Sequence, residues 1–431
     1  MLKRKLESEI SKWKNDPNKM PLVVRGARQV GKTYLIEKFC SENYKYHYFI
    51  DFNERPGFKD VFSGNLDVKT LIKNLSLEIA DFVIEKGETV IFLDEIQNCP
   101  NARTALKFMA RSVDFDVIAS GSLLGINYKE VESFPVGYTD QLEMHSLDFE
   151  EFCWANGLQE EGLGLVMDSF ATRTPMSKSS HNRMLSLFRE YIVVGGMPRV
   201  VQDFVLNHNF GNVLKMQRAI LEDYKDDIAK YAKGNDKAKA RSCFLSIPKQ
   251  LVKDYKKFQY SVVEKGGTAR KFGGSLMWLF DAGIINFCYN LTIPELPLEG
   301  NSKNNEFKVY MRDTGLLTAM LEDGSQANII KGNLGIYKGA IYENIIADFF
   351  TKAGKKLYYF EKVNRLEVDF IIRDDNISIG IEVKSGDNTK AKSLNSLVEY
   401  WGVKKGIKLI SGNVGVSGKI ETLPLYMAMY L

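Results

Sequence analysis

Apolar and polar positions along this chain follow two periods in turn, one suited to strands and one to helices. Leu22-Val23-Val24 predicts a short buried strand, and Tyr34-Leu35-Ile36-Glu37-Lys38-Phe39 predicts a helix after it. Tyr46 to Asp51 has strand length, Leu66 to Glu85 predicts a long amphipathic helix, and Thr89-Val90-Ile91-Phe92-Leu93 is apolar enough for a strand buried on both faces of a parallel sheet. Phe115 to Ala119 and Gln141 to Leu147 predict two further strands, the last leading into a helix that begins at Asp148. This alternation predicts a parallel α/β sheet with right-handed crossovers. The pattern weakens between Gly157 and Asn182, where Thr172 to Ser180 predicts a loop, and helical spacing then runs to about Ile228.

The second half reads differently. Ser246 to Ile285 predicts two helices joined by a turn, the second starting near Thr268. Strands Ile284 to Asn290 and Phe307 to Met311 follow, separated by an Asn-rich loop from Thr292 to Asn305. Helix, turn, helix, strand, loop and strand is the order of a winged helix. Gly339 to Asp348 then predicts a helix, and Leu357 to Phe360, Leu366 to Ile372 and Ile379 to Lys384 predict strands.

Candidate chemistry concentrates at the end of the first strand. Gly26-Ala27-Arg28-Gln29-Val30-Gly31-Lys32-Thr33 fits the pattern of a phosphate-binding loop, and it stands between a strand and a helix as that pattern requires. Glycines allow the backbone to close around a phosphate, the loop N–H groups and helix N-terminus attract its charge, Lys32 can reach β and γ phosphates, and Thr33 can ligate Mg²⁺. Asp94 and Glu95 end the most apolar strand, at the edge where open α/β sheets bind ligands. There Asp94 would hold Mg²⁺ and Glu95 would take a proton from an attacking water. Ser120, after the third predicted strand, could touch the γ phosphate or that water, and equally suits a plain turn.

Composition and charge narrow the picture only modestly. With 58 Lys and Arg against 54 Asp and Glu, the net charge of +4 names no partner. Its distribution is uneven: Lys225 to Lys271 holds thirteen basic and five acidic residues, a local net of +8. Basic residues at the start of the second helix there, Arg270 and Lys271, could meet phosphates. Cys40, Cys99, Cys153, Cys243 and Cys288 show no paired spacing, which argues against a disulfide framework and a zinc site. No apolar run reaches eighteen residues, and the charged N-terminus lacks a signal-peptide core, so the sequence predicts a cytoplasmic protein without a membrane partner.

The phosphate loop, Phe92-Leu93-Asp94-Glu95-Ile96-Gln97, Ala119-Ser120-Gly121-Ser122 and Leu147-Asp148-Phe149-Glu150-Glu151-Phe152 together resemble AAA-superfamily ATPases of bacteria and archaea. The branch most similar is related to signal-transducing and origin-recognition-like ATPases. That resemblance implies ATP and Mg²⁺ as cofactors, a P-loop NTPase sheet with a helical lid, and a Gly-x-Pro motif matched here by Gly196-Met197-Pro198, with Pro198 near the adenine. Gly-Gly-Met-Pro also suits a simple helix terminator. Many relatives carry an arginine after the glycine of Pro135-Val136-Gly137, where this chain has Tyr138. Arg25, Arg28, Arg103, Arg111, Arg199 or a neighbouring subunit are the alternatives for the charge-stabilising arginine, and the oligomeric state stays open.

A second constellation lies near the C-terminus. On an alternating strand Glu382 and Lys384 share a side and can converge with Asp369 of the neighbouring strand. Two carboxylates for Mg²⁺ or Mn²⁺ and a lysine beside water are what phosphodiester hydrolysis needs. The set resembles the restriction-endonuclease-like fold, with Glu343 matching its additional helix acid as a metal ligand. Such folds also serve as inactive binding modules, and a surface ion arrangement would look the same. The expected organisation is a core over 1–156, a lid over 157–228, a basic winged segment over 229–325 and a nuclease-like domain over 326–431. The expected partners are ATP and nucleic acid, DNA ahead of RNA, bound with or without cleavage.

Overall fold

The computed structural model describes residues 2–112, 114–122, 137–231, 236–252, 257–333, 335–362, 366–384 and 391–431. The chain divides into two compact units, one centred on Arg4–Ser146 and the other on Leu147–Phe280 with Ile284–Leu431.

In the first unit five parallel strands stand in the order β2-β3-β4-β1-β5: β1 (Leu22–Gly26), β2 (Tyr46–Asp51), β3 (Thr89–Asp94), β4 (Asp116–Ser122) and β5 (Asp140–Met144). This is the parallel α/β sheet that the alternation of elements predicts. Every residue of β3 is buried, as its unbroken apolar run requires of a strand covered on both faces. One face packs Ile50, Ile91, Leu93, Val117 and Ala119 against Leu71, Leu75 and Leu106. The other packs Val24, Val90, Phe92 and Ile118 against Leu35, Ile36 and Phe39 of the helix Lys32–Asn43.

Two boundaries differ from expectation for local reasons. The long helix spans only Val68–Glu78, because Asp67 caps it by accepting from the Thr70 N–H, and Ile79 is already extended. The last strand stops at Met144. Asp148 then caps the helix Phe149–Ala155 in a reciprocal capping box with Glu151.

The second unit holds an eight-stranded mixed sheet, ordered β12-β13-β11-β10-β9-β8-β6-β7. Its members are β6 (Ile285–Leu291), β7 (Ser302–Met311), β8 (Leu357–Lys362), β9 (Leu366–Asp374), β10 (Ile377–Val383), β11 (Lys405–Ile410), β12 (Gly415–Ser417) and β13 (Ile420–Pro424). The pair assigned by sequence to a wing, β6 and β7, does form an antiparallel hairpin. Its open side pairs in parallel with β8, through Cys288–Leu357 to Asn290–Tyr359, so residues 285–311 share one sheet with residues 357–424. A sheet thus crosses the boundary expected at 325. The reason is physical: β6 is almost wholly buried and needs a neighbour on each edge. Helix Ala269–Asp281 precedes the hairpin as expected, the helix before it runs Asp236–Leu251 and so starts ten residues ahead of Ser246, and Glu160–Thr172 is helical where a weak pattern hid it.

Candidate functional sites

The phosphate loop joins β1 to the helix Lys32–Asn43. Gly31 caps that helix at φ 91°, a left-handed backbone that glycine adopts without penalty. Gly26 is needed for a different reason. A Cβ there would stand 2.2 Å from the Met144 carbonyl oxygen of β5, so this glycine is set by strand packing. Lys32 is buried, and its Nζ donates to the carbonyls of Gly26 (3.1 Å) and Ala27 (2.8 Å), which places the ammonium inside the loop. Burial pulls its pKa down to about 8, helped by Arg28 and opposed by Glu95 and Asp94.

The ends of β3 and β4 and the start of the helix Lys32–Asn43 meet at Asp94. Thr33 Oγ1 donates to Asp94 Oδ2 at 2.7 Å, and the buried Ser120 hydroxyl donates to Asp94 Oδ1. Glu95, next along, sits at φ 51°, a left-handed conformation that is uncommon outside glycine and marks functional turns. The Gln97 amide donates to its Oε2, and the Asn98 N–H returns to its carbonyl at 2.8 Å. A phosphate-loop sequence with a buried lysine inside it, and a hydroxyl beside a carboxylate, fits a nucleoside triphosphate with a hard, oxygen-seeking cation. Gln29, at φ 62°, is the loop's one other left-handed residue.

Two supporting residues were not singled out from the sequence. Buried Arg4 donates from Nη1 to the Val30 carbonyl (3.2 Å) and from Nη2 to the His145 carbonyl (2.7 Å), so the N-terminal segment braces the loop. Nothing in Lys3-Arg4-Lys5 distinguishes it from a solvated charge run. Gln97 stood within the quoted motif without a role. Of the arginine alternatives, Arg103 is buried, with its pKa lowered by that burial, and Arg25 lies 3.7 Å from Glu143. Arg28 is half-buried at the loop, while Arg111 and Arg199 are exposed. Tyr138, standing where relatives carry arginine, lies under Lys107 at 5.4 Å. Pro135 and Val136 lie outside the described residues, as do Lys233, Lys253 and Lys256 of the basic stretch.

The Gly-Gly-Met-Pro segment makes close backbone contacts within the second unit. Gly195 is left-handed at φ 70°, and a Cβ on it would meet Asp313 Oδ1 at 2.3 Å. A Cβ on Gly196 would meet the Leu147 carbonyl at 2.1 Å, and Leu147 N donates to the Gly196 carbonyl at 2.7 Å. The same Leu147 carbonyl accepts from Tyr191 Oη (2.7 Å) and Lys352 Nζ (3.0 Å), and Lys352 also pairs with buried Asp348 at 3.0 Å. Burial raises the Asp348 carboxyl to about 7 although Lys352 pulls the other way. Pro198 opens the helix Pro198–Asn207, the position where a missing N–H costs least.

The C-terminal constellation comes together around β9 and β10. Asp369 Oδ2 accepts from the Val383 N–H at 2.8 Å, Glu382 Oε1 pairs with Lys384, and buried Glu382 Oε2 has no hydrogen-bond partner among the described residues. Glu343, on the helix Lys338–Lys352, accepts from Tyr310 Oη at 3.0 Å and lies 3.9 Å from Lys308. Lys308, missed by sequence reasoning, is buried on β7. Burial opposes its charge, but Glu343, Glu367 and Asp369 outweigh that and raise its pKa. Among the described residues no group of three or more His, Cys, Asp or Glu is arranged to hold a metal. Of the four expected positions Glu382 and Lys384 pair with each other, while Asp369 accepts from a backbone N–H and Glu343 from Tyr310.

Residues 18–153 match the family model of an AAA domain. Residues 185–327 match a domain of unknown function (DUF8612), and residues 338–425 match another (DUF4143). No curated protein matches the chain. Among solved structures, the Walker-type ATPase PABY2304 of Pyrococcus abyssi is 14% identical, over 74% of this chain and 96% of its own, with a TM-score of 0.44. The RuvB Holliday junction branch migration motor of Thermotoga maritima is 13% identical over 66% and 89%, with a TM-score of 0.31. The ORC1 protein of Aeropyrum pernix, solved in complex with DNA, is 12% identical over 76% and 92%, with a TM-score of 0.27. Likenesses this distant say nothing about substrate. The domain match and the phosphate loop together make residues 18–153 an AAA-type P-loop ATPase domain, which takes ATP with a divalent metal, typically Mg²⁺. No helix among the described residues is long and apolar enough to cross a membrane.

Proposed function

We propose that the AAA-type domain hydrolyses ATP through Lys32, Thr33, Asp94, Glu95 and Ser120, and that nucleotide state acts as a switch on the C-terminal unit. The observation that carries this is the chain of hydrogen bonds from Thr33 through Asp94 to Ser120, with Glu95 held beside it by Gln97. The loop N–H groups of Gly26 to Thr33 and the Lys32 ammonium would bind the phosphates. Thr33 and Asp94 would hold Mg²⁺, which when bound neutralises charge on the phosphate oxygens. Glu95 would accept a proton from the water whose oxygen bonds to the γ phosphorus as the bond from that phosphorus to the ADP oxygen breaks. Ser120 orients Asp94, and the left-handed turn aims Glu95.

The test is ATP turnover and ATP binding by Glu95→Gln beside the unaltered protein. Removing a general base costs on the order of 10²–10⁴-fold in rate, so turnover should fall at least 100-fold while nucleotide binding persists. Turnover within tenfold of the parent would remove Glu95 from the mechanism.

For the C-terminal unit, the supported partner is nucleic acid, DNA ahead of RNA. Lys237, Arg241, Lys249, Lys265, Arg270 and Lys271 are all exposed on the basic stretch, where phosphates would be met. Fluorescence anisotropy with labelled DNA and RNA, at two salt concentrations and with or without ATP, tests this; salt-insensitive binding, or none, refutes it. Cleavage is a second reading, favoured by the convergence of Asp369, Glu382 and Lys384 around a buried, unpartnered Glu382 oxygen. It requires the acids to exchange protein donors for a metal. Product formed with Mn²⁺ and lost in Asp369→Asn would sustain it.

A further inference from the structure

We propose that Lys308 is the resident counter-cation of the C-terminal acidic cluster, and that it sets how weakly a divalent metal binds there. This rests on the cleavage reading only for the choice of cluster. Glu343 and Glu367 lie beside Lys308, and Asp369, two residues along β9 from Glu367, reaches β10 next to Glu382 by accepting from the Val383 N–H. Three lysines stand by them, one of them Lys408, buried on β11 and in register with Glu382. Lys384 is partly exposed and pairs with Glu382, its neighbour on the same side. Lys308 is 1% exposed, and its Nζ lies 3.0 Å from Glu367, 3.9 Å from Glu343 and 4.7 Å from the Tyr359 ring centre.

A lysine so placed is not snorkelling to solvent; its charge is balanced where it stands. Tyr310, two residues along β7 and on the same face, adds a donor to Glu343. The carboxylates that a divalent ion would recruit from the helix and from β9 therefore already face an internal positive charge. An incoming metal must displace or repel that ammonium, since both compete for the same oxygens within a few ångströms. Lys308 thus supplies the positive charge at Glu343 and Glu367, while Lys384 and Lys408 stand at Glu382.

Mn²⁺ binding to the full-length, nucleotide-free protein tests this, read from the electron paramagnetic resonance signal of free Mn²⁺. The parent and all variants carry Asp94→Asn, so that any binding at the nucleotide domain is weakened and is the same in each. Lys308→Met keeps the length and removes the charge, and Mn²⁺ affinity should rise at least tenfold. Lys308→Arg keeps the charge and should bind like the parent. Adding Asp369→Asn to Lys308→Met should abolish the gain. Unchanged or weaker affinity in Lys308→Met overturns the proposal, as does a gain that survives Asp369→Asn. Should Lys308→Met fold poorly, Mn²⁺ should raise its unfolding temperature by more than it raises the parent's, and absence of that rescue also overturns the proposal. Cleavage is scored separately. A variant that gains Mn²⁺ affinity yet cuts nothing upholds Lys308 and sinks the nuclease, and cutting with unchanged affinity does the reverse.

Discussion

Replacing Gly26 by alanine tests how the phosphate loop is held. Gly26 ends β1 and pairs with Met144 of β5. The added Cβ would stand 2.2 Å from the Met144 carbonyl oxygen and 3.2 Å from its carbon, with Val30 Cγ2 at 3.3 Å on the other side. An ordinary carbon–oxygen contact is about 3.3 Å, so β1 and β5 must part by roughly 1 Å. The obstacle is backbone, with no rotamer to yield, which places the cost at the upper end of overpacking, about 3 kcal/mol. At roughly 2–4 °C per kcal/mol for a domain of this size, the transition of the nucleotide unit should fall by about 10 °C. That transition is identifiable by scanning calorimetry because ATP with Mg²⁺ raises it. The same parting displaces Val30, whose carbonyl Arg4 holds, so ATP affinity should drop as well. A transition within about 2 °C of the parent, with affinity intact, would refute packing as the reason for this glycine.

Other outcomes follow from buried charge. Lys32, at about 8 in the free site, must be charged to meet phosphate; ATP affinity should be greatest below that value and fall by up to about tenfold per unit above it. Calorimetry near pH 8 in two buffers of different ionisation heat should show net proton uptake, and none would contradict the buried lysine. Asp348 is raised to about 7 against an unfolded value near 3.8. A raised carboxyl contributes stability that is complete below about pH 4 and is lost as pH climbs through 7, a change on the order of 4 kcal/mol. Urea unfolding of the C-terminal unit at pH 5 and 8 should show the part of that decline that falls between pH 5 and 7, about 3 kcal/mol, in the parent and a much smaller one in Asp348→Asn.

The sequence made local features plain and left non-local ones hidden. The loop, Asp94 with Glu95, and the strands of the first sheet each announce themselves within a few residues, through glycine spacing or an unbroken apolar run. That Thr33, Asp94 and Ser120 touch depends on β1, β3 and β4 being neighbours, and parallel order follows from the alternation of elements. Arg4 and Lys308 gave no such signal. Each acts across a long stretch of chain, and a buried lysine or arginine looks in sequence like any solvated one. The β6 hairpin shows the same gap: its shape was legible in residues 284–311, whereas its pairing with β8 was not, since nothing local records which edge a strand will meet.

That shared sheet bears on how the C-terminal half could be inherited or engineered. The two domains of unknown function meet between residues 327 and 338, yet strands from both sides of that interval lie in one ladder, β6 against β8. A recombination event at that point would leave each fragment with a row of unpaired backbone groups along a buried strand, a template for aggregation. The two segments are therefore a single cassette, expected to travel together between genes and to be expressed together in the laboratory.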